Sequence, residues 1–247
     1  MKKTILASVL LTGLSLQSHA AEMTNLLGAG KAVFTGWDGS VEAGATFSNG
    51  NTEEKEYKLN LKAKKDGEAK KWGYKFEAYA EGEENQGVTT EEEYRGLAQA
   101  RFNVSDVNYV FGELTYLNDR FEGYEMRMAE TLGYGHKFYN TDIFKLSGEV
   151  SLGMRQTDFT DGTDENSFIT KFSVDAVYKF AENLSFVENL DIGIAESTSV
   201  YSESSIKVDF TKAFYGKVSY EVEYNSDVPA TAKETDTTFG FKLGYSF

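Results

Sequence analysis

In KWGYKFEAYAE, residues 71–81, Lys75 and Glu77 alternate with Tyr74, Phe76 and Ala78. Charge at period two within an apolar run belongs to a strand with one wet face and one dry face. The same alternation puts Lys58, Arg95, Arg101, Glu113, Arg127, Glu149, Arg155, Lys171, Asp175, Lys207 and Lys242 on wet faces, with Glu42, Lys62, Asp191, Asp209 and Glu221. Such a set has two uses. Lining a narrow water-filled passage, it is a weak ion filter. Paired between neighbouring strands, it fills the interior with ion pairs and is structural. Tyr79, Leu97, Tyr109 and Phe111 share the wet face and take up space.

Other chemistry finds little support. There is no Cys, which excludes disulfides and thiolate metal sites. Beyond residue 20 one His remains, His136, so neither a zinc site nor a serine–histidine hydrolase has its parts. GAGK (28–31) lacks the spacing of a phosphate loop. The acidic stretches EGEENQGVTTEEE (81–93) and TDFTDGTDEN (157–166) could hold divalent cations and bridge to lipopolysaccharide, but their spacing is not that of an EF-hand, and a solvated loop is the simpler reading. No enzyme, cofactor or metal is expected. The net charge of −14 repels phosphates and argues against nucleic acid as a partner.

The elements that carry these charges are all strands. Twelve segments keep the two-residue period, at about 37–47, 56–64, 71–81, 91–102, 107–117, 125–138, 143–155, 167–180, 184–195, 203–211, 215–225 and 237–247. They are long for a soluble sheet, where about 5–6 residues is usual, and suit a tilted strand crossing a bilayer. Aromatics crowd the ends of each apolar face and aliphatics hold the middles, as at the headgroup and hydrocarbon levels of a membrane. Short connections such as NTD (140–142) alternate with longer acidic ones such as EGEENQGVTT (81–90), the asymmetry of periplasmic turns and extracellular loops. The fold expected is all-β: a closed antiparallel transmembrane barrel of about 12 strands in an up-and-down meander, over residues 35–247. Barrels of about 8 strands are filled by side chains and those of about 16–18 leave a channel, so strand number leaves both uses of the lumen open. Glu130 and Glu188 break the pattern by falling on lipid-facing positions. A β-bulge that resets the register is the preferred explanation, and a buried oligomer contact the alternative.

Ahead of the barrel, Lys2 and Lys3, the apolar run ILASVLLTGLSL (5–16) and SHA (18–20) read as a secretory signal peptide cleaved after Ala20. Residues 21–34 read as a short periplasmic lead. The location expected is the outer membrane of a Gram-negative bacterium.

Three stretches carry a resemblance to a known family. WDGSVEAGATFSNGNTEEKEYKLNLKAK (37–64) supplies Trp37, Gly39, Gly44, Gly50, Asn51, Thr52 and Glu53. NDRFEGYEMRMAETLGYGHKF (118–138) supplies Asp119, Arg120, Phe121, Gly123, Tyr124, Arg127, Gly133, Tyr134 and Gly135. YNSDVPATAKETDTTFGFKLGYSF (224–247) closes the chain, with Val228 where a second Pro is common. Over residues 35–247 the sequence resembles the YdiY-like family of salt-induced outer-membrane proteins. That resemblance implies an outer-membrane location and supplies no activity. In the NDRFEGY loop, Gly123 offers a positive φ. Arg120 could reach acidic neighbours or a lipopolysaccharide phosphate. The plainer reading is an ordinary hairpin connection. The last strand, with Tyr245 and Phe247 at alternate positions, also resembles the terminal signal read by the barrel-assembly machinery. The function expected is a narrow passive channel for small or ionic solutes, induced under salt or envelope stress. The alternative is a non-conducting envelope barrel with a lumen filled by charge pairs.

Overall fold

The computed structural model describes residues 36–48, 54–67, 71–228 and 233–247. The expected signal peptide and lead lie outside the described residues, as do Gly50, Asn51, Thr52 and Glu53 of the family motif. Twelve strands follow one another: β1 (Asp38–Ser48), β2 (Glu54–Asp66), β3 (Trp72–Asn85), β4 (Val88–Asn103), β5 (Asn108–Asp119), β6 (Tyr124–Asn140), β7 (Phe144–Phe159), β8 (Asp164–Ala181), β9 (Leu184–Ile194), β10 (Thr198–Asp209), β11 (Phe214–Asn225) and β12 (Thr235–Ser246). Each pairs antiparallel with its sequence neighbours, and β1 pairs with β12 to close the barrel. The expected fold and strand number are borne out.

The alternation is inside-out relative to a soluble protein. Leu132 is 76% exposed and Phe241 71% on the outer wall, while Glu203 is 2% and Lys242 5% exposed inside. Aromatic rings touch one another around the end where β12 finishes: Trp72 with Phe102, Tyr139 with Phe144, Phe144 with Tyr178, and Phe214 with Tyr245, at centroid distances of 5.2, 5.1, 6.1 and 5.1 Å. An outer wall of this kind belongs against hydrocarbon, with the rings at its boundary.

The expected asymmetry of connections is corrected. EGEENQGVTT is a hairpin of two connecting residues, Gln86 (φ 51°) and Gly87 (φ 80°), and its flanks extend β3 and β4. Two successive positive φ values match the right-handed twist of the strands they join. Likewise β10 starts at Thr198, inside the expected loop, and the β7–β8 connection is only 160–163. Its Asp161 accepts hydrogen bonds from Thr163 N (2.9 Å) and Oγ1 (2.6 Å), which hold the carboxyl below the usual carboxylate range. The error had a physical source. Where β3 and β4 run past the apolar belt, Glu83 faces Glu91 and Glu81 faces Glu93. The ladder persists there, but no apolar face is needed, so the hydrophobic period vanishes.

The bulge expected to reset Glu130 and Glu188 is also corrected. The register of β6 against β5 and β7 runs unbroken past Glu130, and that of β9 past Glu188. Both stay on the outer wall. Glu188 needs no reset, because Ser202 Oγ and Ser204 Oγ on β10 donate to its two carboxylate oxygens at 2.9 and 2.5 Å.

One ladder is short. β1 pairs with β12 only from Ser40↔Ser246 to Ala43↔Leu243, whereas β1 pairs with β2 along its whole length. Reciprocal backbone bonds between Gly39 and Phe247, at 3.1 and 3.0 Å, extend the seam at the β12-terminal end. The chain has no Cys, so an Ala43→Cys/Leu243→Cys pair reports this seam cleanly. The expected outcome is a disulfide that alters unfolded gel mobility and raises stability by about 4–5 kcal/mol in urea titrations. Failure of the pair to oxidise in the folded barrel would rule out this register.

Candidate functional site in the barrel lumen

The charges predicted for the lumen lie on the inward faces of their strands, and the barrel groups most of them into three zones. The first spans β1, β2, β3, β10, β11 and β12. Glu203 receives both Lys217 and Lys242, the latter at 2.7 Å. Lys217 also reaches Glu42 at 3.1 Å, and Lys242 reaches Glu221. Lys58 joins Glu81 at 2.7 Å, Glu56 at 3.2 Å and Glu221 at 3.6 Å. Acids and bases alternate through this zone, so each buried charge has a counter-ion.

The second zone lies on the other half of the wall. Lys171 meets Glu113, and Gln99 Nε2 donates to Glu113 at 3.1 Å and to Glu149 at 3.0 Å. Tyr109 Oη donates to Glu149 at 2.7 Å. Lys75 pairs with Glu77 at 3.1 Å, and Asn189 Nδ2 donates to Asp175 at 2.7 Å. Glycines make room for the rings here. A Cβ on Gly135 would lie 2.1 Å from the Tyr109 ring, and one on Gly133 would lie 2.4 Å from the Phe111 ring. Two glycines of the family motif are thus seats for inward aromatics. Towards the β12-terminal mouth, Arg101 pairs with Asp66 at 2.7 Å and Lys207 with Asp209 at 2.9 Å.

The third zone closes the opposite mouth. Arg95 on β4 pairs with Glu93 and reaches Glu223 on β11 at 2.7 Å, between the rings of Tyr79 and Tyr201. The NDRFEGY loop turns inward. Asp119 Oδ1 accepts from Phe121 N (3.0 Å) and Glu122 N (2.9 Å), and Gly123 takes a φ of 93°. That geometry drives Tyr124 into the lumen, where its Oη donates to Asp227 O at 2.8 Å and accepts from Asn225 Nδ2 at 2.7 Å. The motif is more than a hairpin connection, because it fastens one mouth across to β11. Burial beside Asp119 and Glu223 raises the Glu122 carboxyl above the ordinary glutamate range. Arg120 stays exposed, and among the described residues no carboxylate pairs with it. Arg127 and Arg155 border a cavity of about 320 Å³ beneath this cap.

The residues weighed and set aside for metal and hydrolase chemistry have these surroundings. Glu81, Glu91 and Glu93 bring carboxylate oxygens within 4.8 Å of one another, but Lys58 and Arg95 already neutralise two of the three. His136 sits on the outer wall with Nδ1 2.6 Å from Asn108 Oδ1 and its ring against Phe138.

With the strand order, the paired lumen and the inward loop in view, a family of proteins of unknown function, DUF481, matches over residues 41–247. The chain belongs to the DUF481 family. It is 29% identical over 211 residues to the uncharacterised protein YdiY of Escherichia coli strain K12, covering 85% of this chain and 83% of YdiY. The expected YdiY-like resemblance is borne out. Among solved structures, the NanC porin superposes with a TM-score of 0.53 at 9% identity, covering 85% of this chain and 98% of that one. The NalP autotransporter translocator domain of Neisseria meningitidis gives 0.47 at 13% identity, covering 93% and 95%. At 9% identity the likeness to the NanC porin concerns the fold.

In this DUF481 barrel the sequence reading missed Glu81, Glu93, Glu203, Lys217 and Glu223. Lys217 has the parity of Glu221, and Glu203 that of Lys207, which could have exposed both. Glu81, Glu93 and Glu223 lie where strands leave the apolar belt, and hydropathy gave them no face.

Replacing Glu203 by Gln removes the carboxylate shared by two buried ammonium groups and leaves Lys217 with Glu42 alone and Lys242 with Glu221 alone. The expected loss is about 3–5 kcal/mol of unfolding free energy in urea titrations of vesicle-inserted protein. Lys207→Met at the more accessible mouth pair is expected to cost under about 1 kcal/mol. Equal losses at the two sites would contradict the burial argument. Gly135→Ala presses a methyl into the Tyr109 ring and is expected to cost about 1–3 kcal/mol, with much of the loss removed by adding Tyr109→Ala.

Proposed function

We propose that the protein is an outer-membrane barrel of a Gram-negative bacterium whose lumen is held shut by bonds between opposite walls, a non-enzymatic component of the envelope. The observation that carries this reading is the Arg95 tie. Its strand, β4, stands six strands from β10 in either direction around the ring, yet its guanidinium lies 5.2 Å from the Tyr201 ring. The bond to Glu223 on β11 runs the same way. At a second level Lys62 Nζ on β2 donates to Asn189 Oδ1 on β9, at 3.5 Å. Ties across the bore take up the space through which solute would pass, and Arg95 has its counter-charges, Glu93 and Glu223, already in place. The apolar outer wall and its ring of aromatics support a bilayer location. The end where β12 finishes then faces the periplasm, and Tyr245 and Phe247 are presented there to the barrel-assembly machinery. The acidic far end faces lipopolysaccharide.

A narrow passive channel is the second reading. It draws on the cavity beneath the Tyr124 cap and on the likeness to a structure named a porin. It requires the cross-wall ties to part. A role under salt or envelope stress rests on the family resemblance, and transcript levels after a salt step test it.

Conductance in planar bilayers separates the two. The refolded wild-type barrel is expected to give no steady ohmic level, and Glu223→Gln, which removes the carboxylate that holds Arg95 to β11, is expected to introduce openings. A steady open level in the wild type would overturn the closed-lumen reading in favour of the channel.

A further inference from the structure

The cations that border the capped cavity are not equivalent. Arg95 is neutralised by Glu93 and Glu223, and Lys171 by Glu113. Arg127 and Arg155 stand diagonally on β6 and β7, Arg127 opposite Thr157 and Arg155 opposite Ala129. Arg127 Nε donates to Thr157 Oγ1 at 3.3 Å, and its guanidinium lies 3.6 Å from the Tyr124 ring centroid. Among the described residues no carboxylate stands within ion-pairing distance of it. Arg155 is 3% exposed. Its Nη2 donates to Ser197 Oγ at 3.0 Å, its nearest carboxylate, Glu165, is 3.7 Å away, and its Nε has no hydrogen-bond partner. Two neighbouring guanidinium groups repel, and a buried N–H without an acceptor carries the full cost of desolvation. The arrangement is the more telling in a chain with 39 acidic residues against 25 basic. Acids were available, and Asp119, Glu122 and Glu223 line the same cavity, yet among the described residues only Glu165 pairs with either arginine, at 3.7 Å from Arg155.

We propose that Arg127 and Arg155 form a binding site for an oxyanion, the carboxylate or phosphate group of a small solute admitted from the loop end. Two guanidinium forks on adjacent strands give the paired N–H donors that planar carboxylate and tetrahedral phosphate both accept. The orphaned Nε of Arg155 supplies a donor with no competing protein acceptor. Ala129, Ile169 and Leu117 line the same cavity and offer an apolar surface to the body of the solute. The volume of about 320 Å³ suits a molecule of a few carbons rather than a polymer. The site stands on this geometry whether or not the lumen conducts.

Isothermal titration of the folded barrel in detergent with sodium phosphate and with sodium benzoate tests the site. Saturable heat with at least one of the two is expected. A phosphate response alone marks an inorganic or phosphorylated ligand, and a benzoate response alone marks an organic carboxylate. Arg127→Gln and Arg155→Gln are each expected to weaken binding at least about tenfold, and Arg120→Gln, on the exposed loop, to leave it unchanged. Heat-modifiable gel mobility verifies that each variant is folded. If Arg155→Gln fails to fold, Arg127→Gln decides. No saturable heat with either anion up to about 10 mM, where affinity is negligible, would overturn the proposal. So would binding that survives Arg127→Gln.

Discussion

In hydrocarbon a backbone N–H or C=O has no solvent partner, and leaving one unpaired costs several kcal/mol. The architecture of this chain follows from that constraint. The sheet has to close, so β12 must find β1. Every strand in the wall then turns alternate side chains to lipid, and the charges that keep period two have only the bore to occupy. Once there they lose most of their water, and each needs a counter-charge within reach. The chain of Lys217, Glu203, Lys242, Glu221 and Lys58 is thus a consequence of closing the backbone ladder around a polar interior.

Filling the bore has further effects on shape. Tyr109 and Phe111 lie flat against the wall only because Gly135 and Gly133 leave it bare. Tyr124 reaches across only because Asp119 organises the loop before it and Gly123 takes a left-handed turn. Polar and aromatic side chains together perform inside this barrel what aliphatic packing performs in a soluble core. The difference is that their contacts are directional. A core of hydrogen bonds and ion pairs fixes which wall faces which, and it leaves visible any donor without an acceptor, as at Arg155.

Much of this was legible in the sequence, within a definite limit. Period two gave the strand number, the closed fold and the face of residues such as Lys58 and Lys242. It gave no depth and no direction around the ring, so nothing in the sequence paired Arg95 with Glu223, 128 positions away. The acidic hairpin around Gln86 was read as a loop because a strand outside the bilayer keeps its hydrogen bonds and loses its hydrophobic rhythm. Glu188 was read as a register error because its remedy, two serines on the next strand, is visible only when β9 and β10 are aligned. NDRFEGY announced a special loop through its residue types. That it points inward depends on the asparagine and carbonyl waiting on the far side.

The short ladder between β1 and β12 bears on the order of events as the chain folds. All other strand pairs join neighbours in sequence, so they are hairpins that can zip locally and fast. The closing pair joins the two ends of the barrel, and bringing those ends together carries the largest entropic cost of any contact in the molecule. It is repaid by four rungs and the bonds between Gly39 and Phe247. Closure is therefore the late and slow step. Until it happens the nascent sheet carries two bare edges, each a row of backbone donors and acceptors without a strand beside it.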